Sequence, residues 1–153
     1  MARLVVIRHA EAGNRKEWPG EDRSRPLTGE GLRQAEGLVE LLSVLDITEI
    51  RSSPYVRCRQ TVEPLAAERS LPILDDPDLA EGGSLDQLLD RAALTGDGCW
   101  AACTHGDVLH DVLRHLPESG AVREEPGHAK GSTWVLEVER SGITAARYLP
   151  PPD

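Results

Sequence analysis

The chain opens on an unbroken apolar run, Leu4-Val5-Val6-Ile7, which ends at the charged pair Arg8-His9. A run rich in β-branched residues, without polar alternation, predicts a strand over 3–7 buried on both faces. Residues 12–27 are polar and contain Pro19, Gly20 and Pro26, which predicts a loop. Leu32, Ala35, Leu38, Val39, Leu42 and Leu45 then recur at helical spacing behind Thr28, a good N-cap, so a helix is expected over 28–45. Ile47 to Ser53 reads as a second strand. Pro54 suits the first turn of a second helix, with Ser53 as its cap, and that helix continues toward Arg69.

A weaker strand is expected over 71–75, at a sheet edge because Pro72 cannot donate a ladder bond. A loop follows over 75–83, then a helix over 84–94 capped by Ser84. Cys99 to Thr104 is another buried strand, broken by His105-Gly106. Val108, Leu109, Val112, Leu113 and Leu116 give an amphipathic helix, and 117–131 a loop with Pro and Gly. Ser132–Val138 and Ile143–Leu149 alternate around Glu139-Arg140-Ser141-Gly142, which predicts a hairpin. Strands alternating with helices imply an α/β fold, a three-layer α/β/α sandwich around a mostly parallel sheet.

Composition changes the picture little. The chain has 153 residues, read as one domain over 1–153, with 39% hydrophobic residues and no Phe, so Leu, Val, Ile and Ala must build the core. Its net charge of −9 argues against a nucleic-acid polymer as partner. An acidic surface still allows arginines focused in one cleft to bind a small anion. Cys58, Cys99 and Cys103 form no disulfide framework, and Cys99 and Cys103 read as buried thiols. No segment approaches the roughly 20 apolar residues of a membrane span. No secretory signal pattern is found at the start, so a cytoplasmic location without a membrane partner is expected.

The chemistry lies where strands end. Arg8-His9, then Ser52-Ser53-Pro54 with Arg57, then Thr104-His105-Gly106 each follow a predicted strand. In a parallel sheet those ends share one edge, where such sheets bind ligands. Arginine holds phosphate oxygens through bidentate, charge-assisted bonds, and histidine can carry a phosphoryl group covalently. A cation on the first turn of a helix, as at Arg57, opposes the helix dipole unless an anion binds there. His105, His110 and His115 are five apart, about 140° around a helix, so they share no face and no metal site is expected. Glycine-rich phosphate loops are absent as well.

These motifs resemble the histidine phosphatase superfamily, also called the phosphoglycerate-mutase-like fold, over nearly the whole chain. Asp22-x-x-Arg25-Pro26-Leu27-Thr28-x-x-Gly31-x-x-Gln34-Ala35 resembles the family's entry to its first helix, and Arg57-Cys58-Arg59-Gln60-Thr61 its RxxQT turn. The shortness is similar to SixA-type phosphohistidine phosphatases. The stretches 57–68 and Lys130-Gly131-Ser132-Thr133-Trp134 look closer to the phosphatase half of Nudix–phosphatase fusion proteins. The resemblance implies a phosphatase needing no cofactor or metal, with His9 as nucleophile. Arg8, Arg57 and His105 would then hold the phosphoryl oxygens, with Asn14 and Gly106 beside them. It further implies Glu81 as the proton donor to the leaving group. Glu11 would orient the loop after the first strand.

The implied substrate is a protein phosphohistidine or a small phosphorylated metabolite or nucleotide. Short segments over the site, 76–98 and 117–131, suit a hydrolase rather than a mutase, which needs a closed site. The competing reading is a catalytically silent module that binds phosphorylated ligands in the same cleft. Retention of Arg8, His9, Arg57 and His105 together weighs against it.

Overall fold

A computed structural model describes residues 1–114, 116, 127 and 129–153. His115 and most of the loop read over 117–131 lie outside the described residues. Among the described residues the strands are β1 (Ala2–Arg8), β2 (Glu49–Ser52), β3 (Ile73–Asp75), β4 (Cys99–Thr104), β5 (Thr133–Glu139) and β6 (Gly142–Leu149). The helices are α1 (Gly29–Leu41), α2 (Val56–Arg69), α3 (Asp86–Thr95) and α4 (Gly106–Leu113). One sheet runs in the order β3-β2-β4-β1-β5-β6. β1, β2, β3 and β4 pair in parallel, and the β5–β6 hairpin adds antiparallel to β1.

The apolar run of β1 is continuous because each face meets a helix layer. Leu4 and Val6 pack with Leu88 and Ala92 of α3, Leu109 and Val112 of α4, Trp100 and Trp134. Val5 and Ile7 point the other way, into Leu38 and Leu42 at α1 and Val62 and Leu65 of α2. Two apolar cores thus flank one sheet, the three-layer sandwich expected from the alternation of elements.

Several local readings change. The periodic stretch at 28–45 is helical only over Gly29–Leu41, capped as expected by Thr28, whose Oγ1 accepts the Gly31 N–H at 3.2 Å. Leu42 ends the helix and still packs in the core, while Leu32, which shares the helical spacing, is exposed. The second strand is shorter than 47–53, and Pro54 precedes α2 instead of opening it. The helix read over 84–94 starts at Asp86, although the Ser84 hydroxyl accepts the Asp86 N–H at 3.0 Å. It does not lie over the site as part of a cover, because Leu88 and Ala92 are committed to the core.

The sheet register levels the functional ends. Arg8 pairs with Thr104, and Ser52 with Cys103. The segments that follow β1, β2 and β4 therefore leave the sheet at one edge, side by side.

Candidate active site

His9 leaves β1 with its backbone N–H on the Thr104 carbonyl at 3.0 Å, which ties it to β4. Its Nδ1 lies 2.8 Å from the Ala10 carbonyl. A carbonyl only accepts, so the ring proton sits on Nδ1 and the lone pair is on Nε2. Burial pushes His9 down to about 3, the guanidinium charges of Arg57 and Arg8 add to the effect of burial, and the neighbouring His105 works in the same direction. The Ala10 bond opposes that shift without cancelling it. The imidazole is therefore neutral at physiological pH.

His105 occupies the N-cap position of α4, with its ring centroid 5.5 Å from that of His9. Its Nε2 lies 2.9 Å from Ser53 Oγ and 3.5 Å from Cys58 Sγ. Its Nδ1 is buried without a hydrogen-bond partner among the described residues and faces Glu81 Oε1 at 3.8 Å. Ser53, read from sequence as a helix cap, thus holds His105, and Tyr55 takes the N-cap position of α2 without a side-chain bond. Cys58, which carried no functional reading, is the second neighbour of that imidazole. Burial opposes ionisation of its thiol, but hydrogen bonds with Cys103 and His105 hold it below the usual thiol range.

Arg57 is 1% exposed, so its charge must be met by protein groups. Nη1 donates to the Asp22 carbonyl at 2.8 Å, and Nη2 to Asp22 Oδ2 at 2.9 Å and Glu81 Oε1 at 2.6 Å. Nε is buried with no hydrogen-bond partner among the described residues. Arg8 lies against Gly106, where an added Cβ would stand 2.8 Å from the Arg8 Cζ. Glycine at 106 is what lets the guanidinium rest on the start of α4.

Glu81 reaches the same centre from the loop after β3. Besides Arg57 it accepts Arg15 Nη2 at 2.7 Å. The next residue, Gly82, donates its N–H to Asp107 Oδ2 at 2.7 Å, which ties the Glu81 turn to α4. Asn14 lines the cavity, yet its Oδ1 already accepts the Lys16 N–H at 2.9 Å. Glu11 accepts the Gly13 N–H at 2.9 Å and so shapes the turn after β1.

Arg8, His9, Arg57, Glu81, His105 and Gly106 thus line one cavity of about 890 Å³, and Asn14 stands at its wall. Sequence reading missed Arg15, Asp22 and Lys130 as neighbours of this centre. Asp22 lies in a quoted motif, but nothing local marks it as the acceptor for Arg57. Among the described residues, no group of three or more His, Cys, Asp or Glu could hold a metal ion. The arrangement offers one unprotonated nucleophile, two guanidinium groups and a second imidazole around space for a tetrahedral anion, with a carboxyl group beside it.

Comparison with known proteins gives the family and the fold. The histidine phosphatase superfamily (branch 1) matches residues 4–93. An 8-oxo-(d)GTP phosphatase of Mycolicibacterium smegmatis is 38% identical, over 98% of this chain and 48% of its own length. The chain spans about half the length of the curated relatives it matches. Among solved structures, the protein histidine phosphatase SixA in complex with tungstate superposes with TM-score 0.78 at 18% identity, over 99% of this chain and 96% of that one. A putative SixA of Agrobacterium tumefaciens gives 0.74 at 24% identity, over 97% of each chain. With a family match across more than half its residues and the fold shared end to end, the chain belongs to the histidine phosphatase superfamily, branch 1.

Proposed function

We propose that this chain, a member of a phosphatase superfamily, hydrolyses phosphate groups through a phosphorylated His9. The observation that carries the reading is the His9 lone pair: Nδ1 is committed to Ala10, so Nε2 is free to attack. In the first step Nε2 bonds to phosphorus as the bond to the leaving-group oxygen breaks. Glu81, in its acid form, protonates that oxygen. In the second step water attacks the phosphohistidine, Glu81 takes its proton, and inorganic phosphate leaves. One displacement is thereby split into two.

Arg8 and Arg57 neutralise the equatorial oxygens throughout, together with the Nδ1–H of His105. That tautomer requires Ser53 to donate its hydroxyl proton to Nε2 of His105, which the 2.9 Å separation allows. Substrate must take Arg57 from Glu81, or share it. The reading of Glu81 as proton donor suits this exchange, since an anionic substrate and an ionised Glu81 repel each other.

The substrate class favoured is a small phosphorylated molecule, a nucleotide among the candidates. The mycobacterial relative, by its name, acts on a nucleoside triphosphate. A protein phosphohistidine is the other member of the class expected from sequence. The test is hydrolysis of p-nitrophenyl phosphate in excess chelator. Wild type turns over and His9→Ala does not, and acid-labile, base-stable label is trapped on the wild type. Equal turnover by both proteins removes His9 from the reaction.

A further inference from the structure

The cavity is larger than its chemistry requires. Arg8, His9, Arg57 and His105 line space for one tetrahedral group, yet the cavity volume of about 890 Å³ matches pockets that hold whole small molecules. Besides the buried Arg25, two further and more exposed cations, Arg15 and Lys130, line it. Arg15 is on the turn that follows Asn14, and its side chain is 59% exposed. Lys130 is 36% exposed. Both are placed by the site itself. Arg15 and Arg57 share one oxygen, Glu81 Oε1, at 2.7 and 2.6 Å. Lys130 is adjacent to Gly131, whose N–H donates to the Arg8 and His9 carbonyls at 3.1 and 3.0 Å.

Among the described residues each of these two cations is engaged by carboxylates: Arg15 by Glu81 and by Asp22 at 3.2 Å, Lys130 by Glu11 at 3.5 Å. Exposed pairs of this kind are worth about 0–1 kcal/mol, so they exchange readily for another anion. A phosphate offers an arginine a bidentate partner, and a partly desolvated one.

We infer that Arg15 and Lys130 form a second anion subsite, which receives the inner phosphate of a polyphosphorylated small molecule while His9 attacks the terminal one. The inference rests on the proposed role of His9 and narrows the substrate to a class, the nucleoside di- and triphosphates. Taking Arg15 onto the substrate also removes one of the two guanidinium groups from Glu81. An inner phosphate would thus help to release that carboxylate for proton transfer.

The experiment compares kcat/KM for GDP and GMP in wild type, Arg15→Gln, Lys130→Gln and the double variant. Wild type prefers GDP. Each single substitution lowers the GDP-to-GMP ratio by about tenfold, mostly through KM, and the double variant lowers it further. Pyrophosphate, as a competitive inhibitor, loses potency relative to inorganic phosphate in the same order, and Arg15→Lys restores part of it. The inference is overturned by an unchanged ratio in the variants. A wild type that prefers GMP, or that cleaves a phosphohistidine peptide better than GDP, overturns it too. His9→Ala keeps the two readings apart. If it is inactive while the ratio stays flat, only the subsite falls; if it is as active as wild type, the His9 mechanism falls first.

Discussion

Replacing His9 by Gln tests the electrostatics of the site without measuring catalysis. His9 is 5% exposed, so solvent does little to screen it. Burial among Arg57, His105 and Arg8 brings it down to about 3, from 6.5. Between those values the unfolded chain carries a proton on this imidazole that the folded chain lacks. Acid therefore favours unfolding: the contribution is fully present above about pH 6.5 and falls by about 1.4 kcal/mol per pH unit below it. Going from pH 7 to pH 5 should cost about 2 kcal/mol through His9 alone. His9→Gln keeps a polar group of similar size and cannot titrate. Urea unfolding of both proteins at the two pH values, in buffers free of phosphate and sulfate, gives the comparison. Wild type should lose about 2 kcal/mol more stability than His9→Gln, because carboxylates common to both cancel. An equal loss would show that His9 is not held neutral, and the nucleophile argument would fail with it.

Two further substitutions probe the geometry around that imidazole. Gly106→Ala places a Cβ 2.8 Å from Arg8 Cζ and 2.9 Å from its Nη2, so the guanidinium must move. A shift of this kind should cost about 10- to 100-fold in kcat/KM, with stability changed by less than about 1 kcal/mol. A folded variant with wild-type kcat/KM would show that Arg8 need not sit where it does. Glu81→Gln should spare aryl phosphates and slow alkyl phosphates by about 100-fold or more, measured as a slope of rate against leaving-group pKa. The same loss for every leaving group would take Glu81 out of the proton transfer.

Much of this protein was legible along the chain. The unbroken apolar runs of β1 and β4 announced strands covered on both faces, and alternation with helical periods gave the layered sheet. The three strand ends gave Arg8, His9, Arg57 and His105 together, because parallel strands must end on one edge. Local pattern carries such information, since burial and backbone period act residue by residue along each element. Partners across the fold were not written locally. Ser53 looked like a cap and holds His105; Leu32 kept the helical period and faces solvent; Cys58 sat unremarked in a motif and touches the second imidazole. Arg15, Asp22 and Lys130 come from stretches without periodicity, and their approach to the site rests on contacts with residues far away in the chain, Glu81, Arg57 and Glu11. Such contacts join residues far apart in the chain, and their geometry is settled by strand register and helix packing, to which a single stretch of sequence has no access.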